Sequence, residues 1–330
     1  MALRVQRAGI LSTLQDLGRY GYQRFGVPVG GVMDEYSHRL ANLVVGNDER
    51  EATLEVTLLG PRLEFTCDTL IGLCGGDFEC SIDGHRAPMA RPVLSRAGSV
   101  LDIGACRLGC RAYLAVAGGF DVPLVMGSKS TYLRGHLGGF QGRALRRGDL
   151  LPTGEAPTGL YPELHARPGP FQYPRWSVNA QVAFLAHGHH HIRFVPGRHW
   201  ELFGEGARQQ LCATQFRIGP DSDRMGYHLE GVALVLDRPI EIQSEAVTFG
   251  SVQVPPDGRP IVLMANRQAT GGYPRIGEVA SVDLPLLAQL PPGDTLRLEP
   301  VSLERSQSLY LQRERELVRL REGLRMRMRA

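Results

Sequence analysis

At 330 residues, with 43% hydrophobic and 22% charged side chains, the chain can bury one large or two medium cores and has the composition of a folded globular protein. A formal charge of +3, with no basic run interleaved with aromatics ahead of the C-terminal tail, argues against nucleic acid as the partner. The N-terminus, MALRVQRAGILSTLQDLGRYG, mixes charged with apolar residues, and no segment reaches the roughly 20 apolar residues of a membrane span, so a cytoplasmic protein is expected.

In chain order, Asp34 caps a predicted helix over Met33 to Gly46, in which Tyr36, Leu40, Leu43 and Val44 share one face. Short β-branched and aromatic runs follow at Leu54–Leu58, Arg62–Thr66, Thr69–Leu73, Val100–Ile103 and Arg111–Ala117. Beyond the middle they recur at Ile192–Pro196, Ala213–Ile218, Ile240–Ser244, Ser251–Val254, Ile261–Ala265 and Thr295–Pro300. Punctuated by 40 glycines and 22 prolines, this pattern predicts a mainly β protein of antiparallel sheet closed or stacked into barrels, with few helices. A second short helix is predicted over about Ser281–Leu290, and an arginine-rich amphipathic helix over the tail.

The Pro- and Gly-rich stretch 152–188 reads as a linker between halves at 1–151 and 189–301, with 302–330 as the basic helical tail. The halves echo each other: DLGRYGYQRFGVP begins at Asp16 and DSDRMGYHLEGVA at Asp221. Six cysteines without a CxxC pair read as reduced, mostly buried thiols. The tract His187-Gly-His189-His190-His191 is read as a solvated loop or an adventitious metal ligand, so no functional metal is expected. Of the 37 basic residues only Lys129 is a lysine.

Three segments carry specific order and spacing: Thr13–Asn47, Arg111–Asp149, and Ser222–Gly231 with Gly250–Leu284. Together they resemble the KipA-like family of 5-oxoprolinase C subunits. That family also takes in proteins labelled allophanate hydrolase subunit 2 and half of the biotin-dependent carboxyltransferase domain of urea carboxylase. The resemblance implies two cyclophilin-like β-barrel domains and ATP-dependent opening of 5-oxoproline to glutamate. The partners it implies are a KipI-like B subunit together with a LamB-like A subunit. ATP with Mg would be bound by the complex. The alternatives are a carboxyltransferase component acting on urea or a related amide with carboxybiotin, or a regulatory KipA-type binding protein.

Both chemistries need fixed cations and hydrogen-bond donors aimed at developing negative charge on an N–C=O unit. On the first motif, Gln15, Asp16 and Arg19 cluster at a glycine-flanked turn, as a site or as a structural ion pair, and Asp34 is either a ligand contact or a helix cap. The second brings Gly118, Gly119, Ser128, Lys129, Ser130 and Thr131 together as an anion-binding composition that lacks P-loop spacing. The third offers Arg224, Gln253, Asn266, Gln268, Gly271, Gly272, Tyr273 and Arg275 around turns. Asp16, Arg19, Arg224, Gln253, Gln268, Tyr273 and Arg275 are the expected catalytic residues, and the others are expected to bind substrate or nucleotide. By the resemblance, Arg is common at position 129, Asp at 266 and Lys at 275, so Lys129, Asn266 and Arg275 mark where this chain departs from the pattern.

Overall fold

The computed structural model describes residues 1–166, 168–179, 190–236 and 242–329. The chain divides into two compact units. The first gathers Met1–Arg19, Asp34–Val182 and Glu316–Ala330, and the second gathers Tyr20–Met33 and Ala183–Arg315. The segment from Tyr20 to Met33 thus clusters with the C-terminal half of the sequence.

In the first unit the strands are β1 (Ala2–Arg7), β2 (Leu11–Gln15), β3 (Thr53–Thr57), β4 (Arg62–Phe65), β5 (Thr69–Ile82), β6 (His85–Arg86), β7 (Pro92–Ser95), β8 (Val100–Val116), β9 (Leu150–Pro152) and β10 (Phe171–Gln172). They form one ten-stranded antiparallel sheet in the order β10-β7-β5-β8-β4-β1-β9, with β2, β3 and β6 paired off that path. The two runs expected at Val100–Ile103 and Arg111–Ala117 are one long strand, β8, which reaches β5 through a ladder broken by register shifts. One face of the sheet is the apolar core, with Leu3, Leu14, Leu54, Val56, Leu73 and Leu114 fully or almost fully buried.

Across β3, β5 and β8 the opposite face is buried as well, under the helix α1 (Glu35–Val44), while its β1 and β4 end stays open to solvent. Gly72 allows this approach, because a Cβ there would stand 2.4 Å from Val44 Cγ2 and 2.7 Å from the Ala41 carbonyl oxygen. Asp34 caps α1 by accepting the Ser37 N–H at 2.9 Å, and its own N–H donates to the Tyr113 hydroxyl at 2.7 Å. The Pro-rich segment from 152 carries the short helix α2 (Pro162–His165) and β10, and it buries Tyr161, Leu164 and Val178.

The second unit holds β11 (His190–Pro196), α3 (Glu205–Ala213), β12 (Phe216–Ile218), β13 (Gly226–Glu230), β14 (Glu245–Ala246), β15 (Ser251–Gln253), β16 (Ile261–Leu263), β17 (Thr270–Gly271), β18 (Arg275–Val279), α4 (Leu284–Ala288) and β19 (Thr295–Pro300). Seven of these strands close a barrel, β11-β18-β15-β16-β13-β12-β19, while β14 and β17 form a separate pair. The closing pair, β11 with β19, is parallel, whereas the sequence pattern predicts antiparallel pairing throughout.

Ala213, expected at the start of a strand, instead ends α3, a helix whose single buried side chain, Leu211, left little periodic signal. Of the strand expected at Ile240–Ser244, the first two residues lie outside the described residues, and 242–244 carry no strand. The tail forms α5 (Leu303–Met328). In its last half Leu317, Leu324 and Met328 are buried, and Arg321 pairs with Glu49 at 3.1 Å.

Candidate active site

In the first unit, the end of β2 and the loop 127–131 converge on one carboxylate. Asp16 Oδ1 accepts from Ser128 Oγ at 2.7 Å, Ser130 Oγ at 2.5 Å and the Gly18 N–H at 2.8 Å. Its Oδ2 accepts the Lys129 N–H at 2.6 Å. The Asp16 carboxylate is therefore the organiser of the loop that the sequence singled out. The hydroxyls of Ser128 and Ser130 point inward to it.

Arg19, fully buried, donates from Nε to the Val125 carbonyl at 2.8 Å and from Nη2 to the Ser130 carbonyl at 2.9 Å. Burial pulls its guanidinium below the ordinary arginine value, and nearby Asp16 works in the opposite direction. Gln15 donates to the Thr131 carbonyl at 3.1 Å, and Thr131 Oγ1 donates to the Leu14 carbonyl at 2.9 Å. The Lys129 ammonium meets Glu51 Oε1 at 2.5 Å and the Phe120 carbonyl at 2.8 Å. A Cβ on Gly119 would lie 2.5 Å from the Glu51 side chain, so that glycine makes room for the Glu51 carboxylate. Gly118 donates its N–H to Asn47 Oδ1 at 3.0 Å.

Beside this loop lies a buried polar row that sequence reasoning missed. Thr13, Glu55, Tyr113 and Cys74 stand opposite one another across β2, β3, β8 and β5. The Tyr113 hydroxyl donates to Glu55 Oε2 at 2.9 Å. Burial first, then the neighbouring carboxylates, raise its phenol well above the usual tyrosine value. Period-two alternation in these strands signals which residues share a face but not that both faces are covered.

The second unit holds two constellations. In the first, Arg224 donates from Nη2 to the Gly31 carbonyl and lies 3.5 Å from Asn266 Oδ1. The Asn266 backbone N–H donates to the Arg224 carbonyl at 2.7 Å. Gly30 and Gly31 both take positive φ, +66° and +86°, and a Cβ on Gly30 would lie 3.5 Å from Asn266 Oδ1. A glycine turn, a buried cation and a buried carboxamide therefore meet at one place, and the Asn266 Nδ2 group has no hydrogen-bond acceptor among the described residues. Such an arrangement can bind an amide carbonyl and offset negative charge on its oxygen.

In the second constellation, Arg275 donates to Glu245 Oε1 at 2.9 Å and to Glu278 Oε1 at 3.2 Å. Glu278 also accepts from Thr248 Oγ1 and Ser251 Oγ, each at 2.8 Å. The Arg275 N–H donates to His199 Nδ1 at 3.0 Å, and burial lowers the imidazole below its ordinary value against the pull of Glu245. His199, Glu245 and Ser251 were not read from the sequence, because their partners are 27 to 76 positions away. Glu278 was also missed, although its spacing of 3 from Arg275 is a local signal that could have found it.

Gln253 packs under Gly271, where a Cβ would stand 2.5 Å from its Nε2, and it donates to the Tyr273 carbonyl at 3.3 Å. Gly272 and Tyr273 line a cavity of about 490 Å³ with Val254, Pro255 and Leu234. Gln268 is exposed on the loop before β17.

Among the described residues no group of three or more His, Cys, Asp or Glu side chains is placed to hold a metal ion. The donors of the 127–131 loop that an ATP phosphate would need, the two serine hydroxyls and the Lys129 N–H, are engaged by Asp16. His187 and His189 lie outside the described residues, while His190 and His191 open β11. All six cysteines are free thiols, with Cys74, Cys80 and Cys110 buried. No helix is long and apolar enough to cross a membrane among the described residues.

The family described as carboxyltransferase domain, subdomain A and B, matches residues 25–300. The C subunit of 5-oxoprolinase from Haemophilus influenzae is 36% identical over 313 residues, covering 93% of this chain and 96% of that protein. Its Escherichia coli counterpart is 38% identical over 92% of both chains. The crystal structure of Kluyveromyces lactis urea carboxylase superposes with a TM-score of 0.86 at 31% identity, covering 98% of this chain but 29% of that one.

Proposed function

The chain belongs to the carboxyltransferase domain, subdomain A and B, family, and from that premise we propose that it is the C subunit of an ATP-dependent 5-oxoprolinase that opens 5-oxoproline to glutamate. The observation that carries this reading is reciprocal coverage. The two 5-oxoprolinase C subunits are matched over 96% and 92% of their own lengths, whereas Saccharomyces cerevisiae urea amidolyase is matched over 17% of its length. Such a protein works with others, here a KipI-like B subunit together with a LamB-like A subunit. Two cyclophilin-like barrels and a cytoplasmic location belong to the same proposal.

We assign the lactam to the second unit, beside Gly30–Gly31, Arg224 and Asn266. There the Asn266 Nδ2 donates to the lactam carbonyl, and Arg224 offsets charge as it develops on that oxygen. Glu245 and Glu278 hold Arg275 in place, and Gln253 holds the Gly271–Tyr273 turn, whose Gly272 and Tyr273 line the 490 Å³ cavity. In the first unit, Asp16 and Arg19 position the 127–131 loop. ATP, supplied to the assembled complex with Mg, would activate the carbonyl oxygen by phosphorylation.

The test is co-expression with the KipI-like and LamB-like subunits and measurement of glutamate release from 5-oxoproline with and without ATP. Asn266→Ala is expected to lower kcat/KM about 100-fold at unchanged melting temperature, the scale of losing one donor to a developing oxyanion. Asn266→Asp should lose at least as much as Asn266→Ala, because an ionised carboxylate cannot donate and repels the charge developing on the oxygen. Efficient turnover by the isolated chain, or an inactive assembled complex, overturns the assignment. The similarity to urea carboxylase over nearly the whole chain favours one second reading, carboxyl transfer to urea from carboxybiotin on another protein. Urea-dependent turnover by the chain with a biotinylated carrier protein would select it.

A further inference from the structure

The outward face of the first unit's sheet carries a basic groove built from none of the residues assigned above. Arg4, Gln6 and Arg7 of β1, Arg62 and Glu64 of β4, and Arg147 with Gly148 of the turn before β9 line a depression of about 540 Å³. Strand register explains the cluster. Arg4 stands opposite Glu64, Arg7 opposite Arg62, and Arg4 opposite Leu150 on the other side of β1. Side chains from three elements thus share one face.

The charges there are unevenly balanced. Arg7 is tied back by Asp102 at 2.6 Å. Arg4 leans on Glu64 at 3.6 Å, and that carboxylate also accepts from Gln6 Nε2 at 3.3 Å. Arg62 and Arg147 pair with no acidic side chain among the described residues. Arg96 and the exposed Arg107, by contrast, each pair with an acid within 2.9 Å.

Arg147 is also held in a braced position. Asp149 accepts two bonds from Arg143, at 2.7 and 2.8 Å, and one from the Arg146 N–H at 2.7 Å. The turn is then stitched to β1 by Gly148 N–H to the Val5 carbonyl and Val5 N–H to the Asp149 carbonyl, both 2.8 Å. Consistent with that bracing, the Arg143 hydrogen bond draws the Asp149 carboxyl below its ordinary value.

We propose that this groove is a binding site for an oligophosphate anion, gripped by Arg62, Arg147 and Arg4. Guanidinium forks converging from different elements match phosphate oxygens two at a time. The groove is concave, and Val5 is its one apolar residue, whereas a docked peptide would need apolar side chains to bury. The site does not depend on the 5-oxoproline reading.

Calorimetric titration of the intact chain with inorganic tripolyphosphate, free of divalent metal and at about 0.02 M salt, where surface charges are little screened, tests this. Binding on the order of 100 μM or tighter is expected. Arg62→Gln or Arg147→Gln should each weaken it about fivefold, and the double variant at least about twentyfold, with an unchanged melting temperature because both side chains are exposed. Glu64→Gln should tighten binding, since it releases Arg4 and removes the one carboxylate in the groove. Comparing the affinity of a nucleoside triphosphate with that of tripolyphosphate decides the source: tighter binding of the nucleotide assigns a nucleotide, equal or weaker binding assigns inorganic polyphosphate. No binding at low salt, binding indifferent to the double variant, or equal competition by polyglutamate overturns the proposal.

Discussion

Replacing Asp16 by Asn tests whether the best-connected carboxylate in the first unit organises the fold or reacts with substrate. Its two oxygens accept four donors: two hydroxyls, the Gly18 N–H and the Lys129 N–H. Asparagine keeps the shape but turns one acceptor into a donor. The less damaging orientation sets Nδ2 against the single N–H of Lys129, leaving a nearly buried amide unsatisfied at a cost of about 1–3 kcal/mol. The three remaining bonds fall from charge-assisted to neutral, for about 0.5 kcal/mol each. The loss should be about 3 kcal/mol, read as a lowered urea midpoint at constant m. Asp16→Ala should cost at least as much. If Asp16→Asn shifts stability by less than about 1 kcal/mol yet abolishes turnover in the assembled complex, the organising role is wrong and Asp16 acts on substrate.

Lys129→Met should destabilise the chain by about 1–2 kcal/mol, because it leaves Glu51 without its ammonium partner in a partly buried setting, and Glu51→Gln in the same background should recover much of that loss. Amine-reactive labelling reports Lys129 directly, since it is the only lysine. His38 is fully buried, and desolvation lowers its imidazole from 6.5 to about 4, so it folds neutral. The stability it contributes is full above pH 6.5 and is lost as pH falls toward 4, by about 3 kcal/mol across that window. Urea titrations of wild type and His38→Gln should therefore converge as the pH is lowered, and parallel curves would refute the neutral buried imidazole. Leu324→Ala on α5 should cost about 2–4 kcal/mol as a buried leucine truncation, while Leu311→Ala, on an exposed position of the same helix, should change stability by less than about 0.5 kcal/mol.

What could be read from the sequence divides along the line between local and long-range physics. Helix α1 was legible with its Asp34 cap, because cap, apolar stripe and Gly46 stop all lie within 13 residues. Strand β19 was legible to the residue for the same reason. The bulges that let Phe78, Cys80 and Asp77 keep pairing along β8 are not local signals, so that strand looked like two. At the site, Gly127–Thr131 drew notice through its hydroxyls and its lone lysine, but its partners are Asp16, at 112 to 114 positions' separation, and Glu51, at 78. The composition that suggested an anion cradle is the same composition needed to wrap a carboxylate of the chain itself. Hydroxyls and backbone N–H groups bind a carboxylate whether it belongs to a ligand or to Asp16, so residue types alone could not tell the two apart. Arg62 and Arg147 show the converse. Neither belongs to a motif, and 36 arginines make each one unremarkable in the sequence. Only strand register, which sets Arg62 and Arg4 on neighbouring strands of one face, and the Asp149-braced turn make them a site.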